Sequence, residues 1–329
     1  MIFSKIGSRA LLAAACLAVL PFAAEARELR IGLITPPSHV WTKVAQRMAE
    51  KLPEATDGDL TLAVFPAGQL GTEQEMFQQM STGLLDAGLM TAAITSLRAP
   101  SLQGWFTPYL FTGVSDAIDA AETPAAQQML GELDRAGLHG MGYTFAGMRH
   151  ILMRDEPATD VAALQNKKIR IVPFPAMKVW WQEVGAVPTP VNLTEVYQAL
   201  QTGLLDGVDI DLDALVGLKF QEVAHDLTLT SHMTFPAVMM VSDMTWNSLS
   251  QEDQAAFQKV ADEALAWGSE QQITAEETNL ATLENEMTVT RLTDGKQAFA
   301  KANEAVQASF APYPLIAEFQ AQVAAEQAK

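Results

Sequence analysis

The residues best suited to bind a charged small molecule are two arginines. Arg149 follows an aromatic and glycine-rich segment, and Arg170 lies within the apolar run 169–172. A guanidinium in an apolar strand must find hydrogen-bond acceptors, and its planar fork of donors fits a carboxylate best. Each arginine therefore predicts either a bound carboxylate ligand or a salt bridge within the protein.

Four aspartates fall within the eight residues 206–213. They lack the glycine and the glutamate that complete an EF-hand calcium loop. In an extended segment Asp209, Asp211 and Asp213 would share one face and repel one another unless a cation, an amine or an arginine lay among them. At the start of a helix, Asp211 and Asp213 would instead cap free backbone N–H groups. Both interpretations stay open, so Asp209 and Asp211 are candidate ligand contacts.

Motifs for catalysis or metal binding are absent from the sequence. The five histidines never occur at the HExxH or HxxxH spacing of a zinc site, and Cys16 is the only cysteine. No nucleophile elbow, phosphate-binding loop or dinucleotide fingerprint follows a predicted strand. We therefore expect no metal, no cofactor and no enzymatic activity. A secreted hydrolase or lyase that uses the 206–213 aspartates with a metal is the least favoured alternative.

Composition restricts the partners of the protein. The chain has 329 residues, with 21 Lys and Arg against 39 Asp and Glu, for a formal charge of -18. Nucleic acids and anionic lipid surfaces both require clustered basic residues, which the sequence lacks, so neither is expected as a partner. The length is typical of two domains.

The N-terminus has the pattern of a cleavable signal peptide. Lys5 and Arg9 precede the apolar run 10–23, and Ala24-Glu25-Ala26 fits the small-x-small rule of signal peptidase. The apolar run is shorter than the ~20 residues of a membrane helix. We predict that residues 1–26 are removed and that the mature protein, without its cysteine, works in the periplasm as a monomer.

Strands and helices alternate along the mature chain. The pattern predicts strands at 29–34 and 60–65, a helix at 40–52, and a second helix opened by the capping box of Thr72 and Glu75. Such βαβ alternation predicts an α/β fold with mostly parallel sheets flanked by helices.

An internal repeat indicates two similar lobes. Residues 75–86 (EMFQQMSTGLLD) match 195–206 (EVYQALQTGLLD) at seven of twelve positions. Gly83 and Gly203 are predicted to end their helices in the left-handed conformation. The predicted first lobe comprises 27–147 and about 236–275, and the second lobe comprises 148–235 and about 276–329. A long helix at about 251–284 would bridge them, followed by a strand at 287–292 and a last helix at about 296–310.

Several segments together resemble one family, the DctP-type substrate-binding proteins of TRAP (tripartite ATP-independent periplasmic) transporters. The segments are KIRIV at 168–172, GAVPTP at 185–190, TEVYQALQTGLLDG at 194–207, KFQEV at 219–223, FPAGQLG at 65–71 and LTSH at 229–232. The resemblance covers nearly the whole mature chain. It implies a two-lobed periplasmic receptor that closes over a small molecule, usually a carboxylate, and delivers it to sodium-coupled permease subunits in the membrane.

The resemblance also implies roles for particular residues. Arg170 occupies the position of the arginine that clamps the ligand carboxylate, Arg149 matches a second ligand-binding arginine, and Leu193 falls where a side chain packs on the ligand. Ile210 replaces an asparagine common in the family, which makes Asp209 or Asp211 a candidate replacement contact. Weaker candidates are strand-end and aromatic residues: His39, Trp41, Glu73, Thr91, Trp180 and Phe235.

The sequence therefore predicts a periplasmic receptor for a small organic carboxylate. A receptor for an amino acid or an amino alcohol stays open because of the aspartates, and an amino alcohol would leave Arg170 with a structural role. A ligand sensor that acts on a signalling partner would show the same sequence features.

Overall fold

The computed structural model describes residues 26–328. The predicted signal peptide therefore lies almost wholly outside the described residues. Within 26–328 no helix combines the length and the apolar character needed to cross a membrane.

The described residues form eleven strands. In chain order they are β1 (Arg27–Gly32), β2 (Leu60–Phe65), β3 (Ala87–Thr91), β4 (Leu138–Met148), β5 (His150–Met153), β6 (Lys168–Ile171), β7 (Val187–Pro190), β8 (Gly207–Ile210), β9 (Asp226–Leu229), β10 (Thr234–Ser242) and β11 (Thr288–Arg291). The predicted strand at 60–65 is confirmed, and the first strand begins and ends two residues earlier than predicted.

Thirteen α-helices connect and cover these strands. They are α1 (Val40–Ala55), α2 (Glu73–Ser81), α3 (Ala92–Thr95), α4 (Val114–Ala120), α5 (Pro124–Leu130), α6 (Pro175–Val184), α7 (Val196–Gln201), α8 (Leu212–Gly217), α9 (Asp243–Trp246), α10 (Gln251–Glu286), α11 (Gly295–Ala298), α12 (Ala300–Ser309) and α13 (Pro314–Gln327). Short 3₁₀ helices occur at Pro100–Phe106, Gly131–Ala136, Ala162–Leu164, Leu193–Glu195 and Phe220–Glu222.

The strands form two sheets, one in each lobe. The first sheet has the order β2-β1-β3-β10-β4, with β1 parallel to β2 and β3 and with β10 antiparallel to β3 and β4. The second sheet has the order β11-β9-β5-β8-β6-β7, with β6 parallel to β7 and β8 and with β5 antiparallel to β8 and β9. Two mixed sheets flanked by helices agree with the predicted fold class.

The parallel strands are largely apolar because helices cover both faces of a doubly wound sheet. In β3 all five residues are buried, and all four residues of β8 are buried. One apolar core fills the first lobe and continues under α6 of the second, and a smaller core lies around β8 and α8.

The repeated segment folds in the same way in both lobes. Helix α2 begins at the predicted capping box, in which the Thr72 hydroxyl accepts from the Glu75 N–H and the Glu75 carboxylate accepts from the Thr72 N–H. Gly83 and Gly203, which follow α2 and α7, both have φ of +74°. Glycine adopts this left-handed conformation without the steric penalty of a Cβ atom, so the prediction for both glycines is confirmed.

The chain crosses between the lobes at neighbouring points. Strand β4 belongs to the first sheet and β5 to the second, so the chain crosses at Arg149. It returns through residues 230–233, between β9 and β10. The Arg149 N–H donates to the Met233 carbonyl at 2.7 Å, so the two crossing segments are hydrogen-bonded.

Helix α10 runs along both lobes, as predicted. It packs against α1 and β4 of the first lobe and against α8 and β11 of the second. Gln272 Nε2 donates to the Ala146 carbonyl at 3.0 Å, and Glu276 Oε1 accepts from the Met148 N–H at 2.8 Å. These two side chains hold the helix to the end of β4, beside the first crossing point.

The C-terminal region differs from the prediction in two ways. The helix predicted at 296–310 is broken at Phe299, where φ is -101° and ψ is 18°, into α11 and α12. Helix α13, which begins at Pro314, was not predicted. It packs on α4 and α5 of the first lobe, and Gln322 accepts from the Ala125 N–H. The assignment of all of 276–329 to the second lobe is therefore wrong for this helix.

Candidate ligand-binding site

A cleft of about 840 Å³ lies between the two lobes. It is lined where parallel strands of both sheets end, which is the usual position of ligand sites in α/β folds. Nine of the eleven predicted site residues line it: His39, Trp41, Glu73, Thr91, Arg149, Arg170, Leu193, Asp211 and Phe235. The fold therefore brings together residues that are up to 196 positions apart in the chain.

Arg170 presents an unpaired positive charge to the cleft. Its side chain is only 4% exposed, and its one hydrogen bond goes from Nε to the Val191 carbonyl at 2.9 Å. Its two Nη groups have no partner among residues 26–328 and stay accessible from the cleft. Burial, together with the positive charge of Arg149, lowers the pKa of Arg170 to about 10, so the guanidinium remains charged at neutral pH.

Arg149, in contrast, is paired within the protein. Its Nε donates to Asp209 Oδ1 at 2.6 Å, its Nη1 donates to Asp211 Oδ2 at 3.1 Å, and its Nη2 donates to the Asp209 carbonyl. The guanidinium also lies over the Phe235 ring, 4.1 Å from its centroid. Of the two interpretations of Arg149, the structure supports the internal salt bridge.

Asp209 lies behind the cleft rather than in its lining. It is fully buried and accepts hydrogen bonds from Trp181 Nε1 at 2.7 Å and pairs with His232 Nε2 at 3.0 Å. Burial alone would raise the pKa of Asp209, but Arg149 and these partners hold it below its usual value. The prediction of a direct ligand contact from Asp209 is therefore wrong for this arrangement.

Asp211 confirms the capping interpretation of the aspartate run. Its Oδ1 accepts from the Ala214 N–H at 2.8 Å, so it is the N-cap of α8, and its other oxygen pairs with Arg149. Burial would raise the pKa of Asp211, but His39, followed by Arg149 and the Ala214 N–H, holds it below its usual value. Asp211 lines the cleft as a carboxylate that is already engaged.

Asp213 caps a helix of the opposite lobe. Its Oδ2 accepts from the Val40 N–H at 2.8 Å, at the start of α1, and its Oδ1 accepts from Asn279 Nδ2 at 3.4 Å. His39, the N-cap of α1, lies with its Nδ1 3.7 Å from the same carboxylate. Asp213 therefore connects the second lobe to the first without lining the cleft.

Glu73 is a buried carboxylate of the cleft wall. Its side chain accepts from the Thr91 N–H and from the Thr91 hydroxyl, the latter at 3.0 Å. It lies in the first turn of α2, where the helix dipole favours a negative charge. Burial nevertheless raises the pKa of Glu73 to about 7, despite the opposing hydrogen bonds from Thr91 and the charge of Arg170.

The raised pKa of Glu73 predicts a pH dependence of stability. Between pH 4.5 and 7 the folded state binds more protons at Glu73 than the unfolded state does, so folding stability falls as the pH rises through this window. In Glu73→Gln this contribution disappears. The free energy of unfolding of the variant minus that of wild type should rise by on the order of 3 kcal/mol from pH 4 to pH 8, as measured by urea unfolding without ligand. A difference between Glu73→Gln and wild type that does not change with pH would contradict the prediction, and Glu122→Gln, at an exposed position, serves as the control.

Aromatic residues form one wall of the cleft. The rings of Trp41 and Phe235 are stacked, with centroids 6.3 Å apart, and His39 meets Trp41 edge to face. Trp180 is elsewhere: it stacks on His232 at 4.5 Å and donates from Nε1 to Asn303. The prediction that Trp180 packs on a ligand is wrong because the helix α6 turns this side chain into the core.

Several residues of the site were missed from the sequence. His232 and Trp181, which hold Asp209, carry no spacing signal that links them to the aspartate run. Polar residues on helices and on the segments between elements also line the cleft: Thr35, Gln74, Asn192, Thr194, Gln198 and Thr202. A search of the segment that follows the predicted strand 29–34 would have found Thr35, since such segments meet at one edge of a parallel sheet. Asn192 and Thr194 follow β7, which was not predicted as a strand.

Two α/β lobes joined by crossing segments, with a cleft lined from both, define the class of two-lobed solute-binding receptors. The model of bacterial extracellular solute-binding protein family 7, DctP, matches residues 31–312. The chain therefore belongs to this family and is a solute receptor of the TRAP type.

Individual relatives agree with this assignment. The ectoine-binding periplasmic protein TeaA of Halomonas elongata is 31% identical, over 77% of this chain and 76% of TeaA. A TRAP periplasmic solute-binding protein from Polaromonas sp. JS666, solved with D-erythronate, superimposes with a TM-score of 0.84 at 26% identity, over 89% of this chain and 98% of that one. One from Bradyrhizobium sp. BTAi1, solved with D-galacturonate, gives 0.85 at 26% identity, over 90% and 99%.

Proposed function

We propose that this protein binds a small organic carboxylate in the cleft and delivers it to the membrane subunits of a TRAP permease. The observation that carries the proposal is Arg170, a buried arginine whose Nη groups face the cleft without a protein partner. An unpaired buried charge is costly, and a carboxylate bound in the cleft would supply the counter-charge that Arg170 does not find among residues 26–328.

The proposed mechanism is closure of the lobes about the two crossing segments. Arg149 lies at one crossing point and is hydrogen-bonded to the other, so rotation of the lobes would centre near it. Closure excludes water from the ligand, and every polar group of the ligand must then be matched by the protein. The protein performs no chemical step under this proposal, and its aspartates serve structure.

Ligand identification tests the proposal directly. The purified mature protein is analysed by native mass spectrometry for a co-purified acid, and a thermal-shift screen covers erythronate, galacturonate, galactonate, amino acids and amino alcohols. A carboxylate that raises the melting temperature and binds in isothermal titration supports the proposal. Binding of an amine or amino alcohol that lacks a carboxylate, in preference to every carboxylate, would contradict it.

Export and delivery require separate measurements. N-terminal sequencing of the protein recovered from the periplasm should begin at Arg27, and light scattering should give the mass of a monomer. Uptake of the identified acid into vesicles that contain the permease subunits should depend on added receptor. A receptor that binds the acid but supports no uptake would favour a sensory role.

The contact between Asp213 and the Val40 N–H leads to a prediction about closure. Asp213→Ala removes a hydrogen bond that joins the two lobes and whose acceptor is a charged carboxylate. The arrangement in which the two lobes lie against each other therefore loses stability. We expect ligand affinity to fall about tenfold, equivalent to ~1.4 kcal/mol, in isothermal titration with the acid identified above. The exposed Asp155→Asn serves as control. Unchanged affinity in the Asp213 variant would show that this contact does not contribute to closure.

A further inference from the structure

The charged side chains in the described lining of the cleft include more carboxylates than arginines. Among the described residues, the ionisable side chains in the lining are two arginines, three carboxylates and one histidine: Arg149, Arg170, Glu73, Asp211, Glu195 and His39. Glu195 is exposed, whereas the other two carboxylates are at most 6% exposed and act in a medium of low dielectric. The lining therefore carries no excess of positive charge.

Only one of the two arginines is available to a ligand. Each of the three nitrogens of Arg149 donates to Asp209 or Asp211, and both carboxylates are buried. The charge of Arg149 is thereby cancelled within the protein. His39 likewise lies against carboxylates of the protein, 3.7 Å from Asp211 and 3.7 Å from Asp213. Arg170 is left as the single unpaired arginine in the described lining, so one ligand carboxylate exhausts the capacity of the site.

Glu73 determines which chemical group of a ligand can lie against a second part of the cleft wall. The Thr91 N–H and hydroxyl donate to its two oxygens, which fixes the orientation of the carboxylate. Carboxylate oxygens accept further hydrogen bonds, so a hydroxyl group of the ligand is a suitable partner for Glu73. A second ligand carboxylate would meet a like charge here, with no arginine free to compensate it.

We propose that the cleft selects hydroxylated monocarboxylates and rejects the corresponding dicarboxylates, and that Glu73 is the residue that determines this specificity. The inference rests on the proposed function, since it assumes that the carboxylate binds at Arg170. Discrimination arises from repulsion of the wrong ligand as well as from attraction of the right one.

Matched ligand pairs test the selectivity on the wild-type protein. Galactonate and galactarate share a carbon skeleton and differ only in a terminal hydroxymethyl group against a second carboxylate, and erythronate and meso-tartrate differ in the same way. In isothermal titration at pH 8, where Glu73 is mostly ionised, we expect the monocarboxylate of the better-binding pair to bind at least about 100-fold more tightly. Equal or tighter binding of the dicarboxylate would overturn the proposal.

Variants then test the role of Glu73. Glu73→Gln keeps the size and removes the charge, so the ratio of the two dissociation constants should fall at least tenfold, mainly through tighter binding of the dicarboxylate. Glu122→Gln removes an exposed charge of the same lobe and should leave the ratio unchanged. A ratio in Glu73→Gln equal to that of wild type would overturn the assignment to Glu73.

The outcomes separate this inference from the proposed function. If neither member of either pair binds and no other carboxylate does, the proposed function fails. If carboxylates bind but the dicarboxylates bind best, the function stands and the selectivity fails. Should Glu73→Gln not fold, as judged by circular dichroism, the wild-type ratio still decides the selectivity, and Glu73→Asp tests the position with the charge retained.

Discussion

Arg170→Ala is expected to abolish ligand binding while the protein remains folded. Arg170 makes one hydrogen bond within the protein, to the Val191 carbonyl, and forms no ion pair among residues 26–328. Its removal therefore breaks few native contacts but leaves a buried ligand carboxylate without a counter-charge. We expect affinity to fall by at least about 100-fold, equivalent to ~2.7 kcal/mol, in isothermal titration.

Two further variants separate charge from geometry. Arg170→Lys keeps the positive charge but loses the planar fork that holds both carboxylate oxygens, so it should recover only part of the affinity. Arg98→Ala removes an exposed arginine outside the cleft and should bind as wild type does. Binding by Arg170→Ala within about tenfold of wild type would show that the carboxylate is held elsewhere, and the proposed function would need another anchor.

Arg149→Ala is expected to destabilise the protein severely. The substitution leaves the carboxylate of Asp209, which is fully buried, without the arginine that holds its charge, and it also removes one of the partners of Asp211. Breaking a buried ion pair by removal of one partner costs about 3–5 kcal/mol. We therefore expect a lower midpoint in urea unfolding and a melting temperature lowered by roughly 10 °C.

A double-mutant cycle tests the origin of this loss. In Arg149→Met with Asp209→Asn the charge of Asp209 is removed together with its cation, and only Asp211 still lacks the arginine. The double variant should therefore be more stable than Arg149→Met alone, with a coupling energy on the order of 2 kcal/mol. Arg98→Ala again serves as the control for loss of an arginine. If Arg149→Ala unfolded as wild type does but lost ligand binding, Arg149 would be a ligand clamp and not a structural residue.

These two predictions assign different roles to arginines that the sequence could not distinguish. Both are scarce basic residues near apolar strands, and the family resemblance implies ligand contact for each. Which one is free depends on where Asp209 and Asp211 lie, and that depends on the register of β5 against β8, which places His150 opposite Ile210. Register between strands about 60 residues apart is a tertiary property, so no local pattern predicts it.

The aspartates at 206–213 also show that local contacts can be predicted from the sequence and long-range contacts cannot. Helix capping by Asp211 could be predicted because the acceptor and the donor are three residues apart. The role of Asp213 could not, because the N–H group that it caps belongs to a residue 173 positions away. The prediction for Trp180 was wrong for a related reason. An aromatic residue on an amphipathic helix can face either the core or a ligand, and the packing of the whole fold decides between the two.

The sequence alone determined the class of the fold, many of its elements and the candidate anchor, but not helix α13 or the break at Phe299. Periodicity, capping boxes and the glycines after α2 and α7 act over a few residues, so strands, helices and the two-lobe repeat could be predicted from them. The pairing of charges was decided only by the tertiary structure, because ion pairs and hydrogen bonds depend on distance in space. That pairing neutralises Arg149, leaves Arg170 free and places Glu73 in the cleft wall.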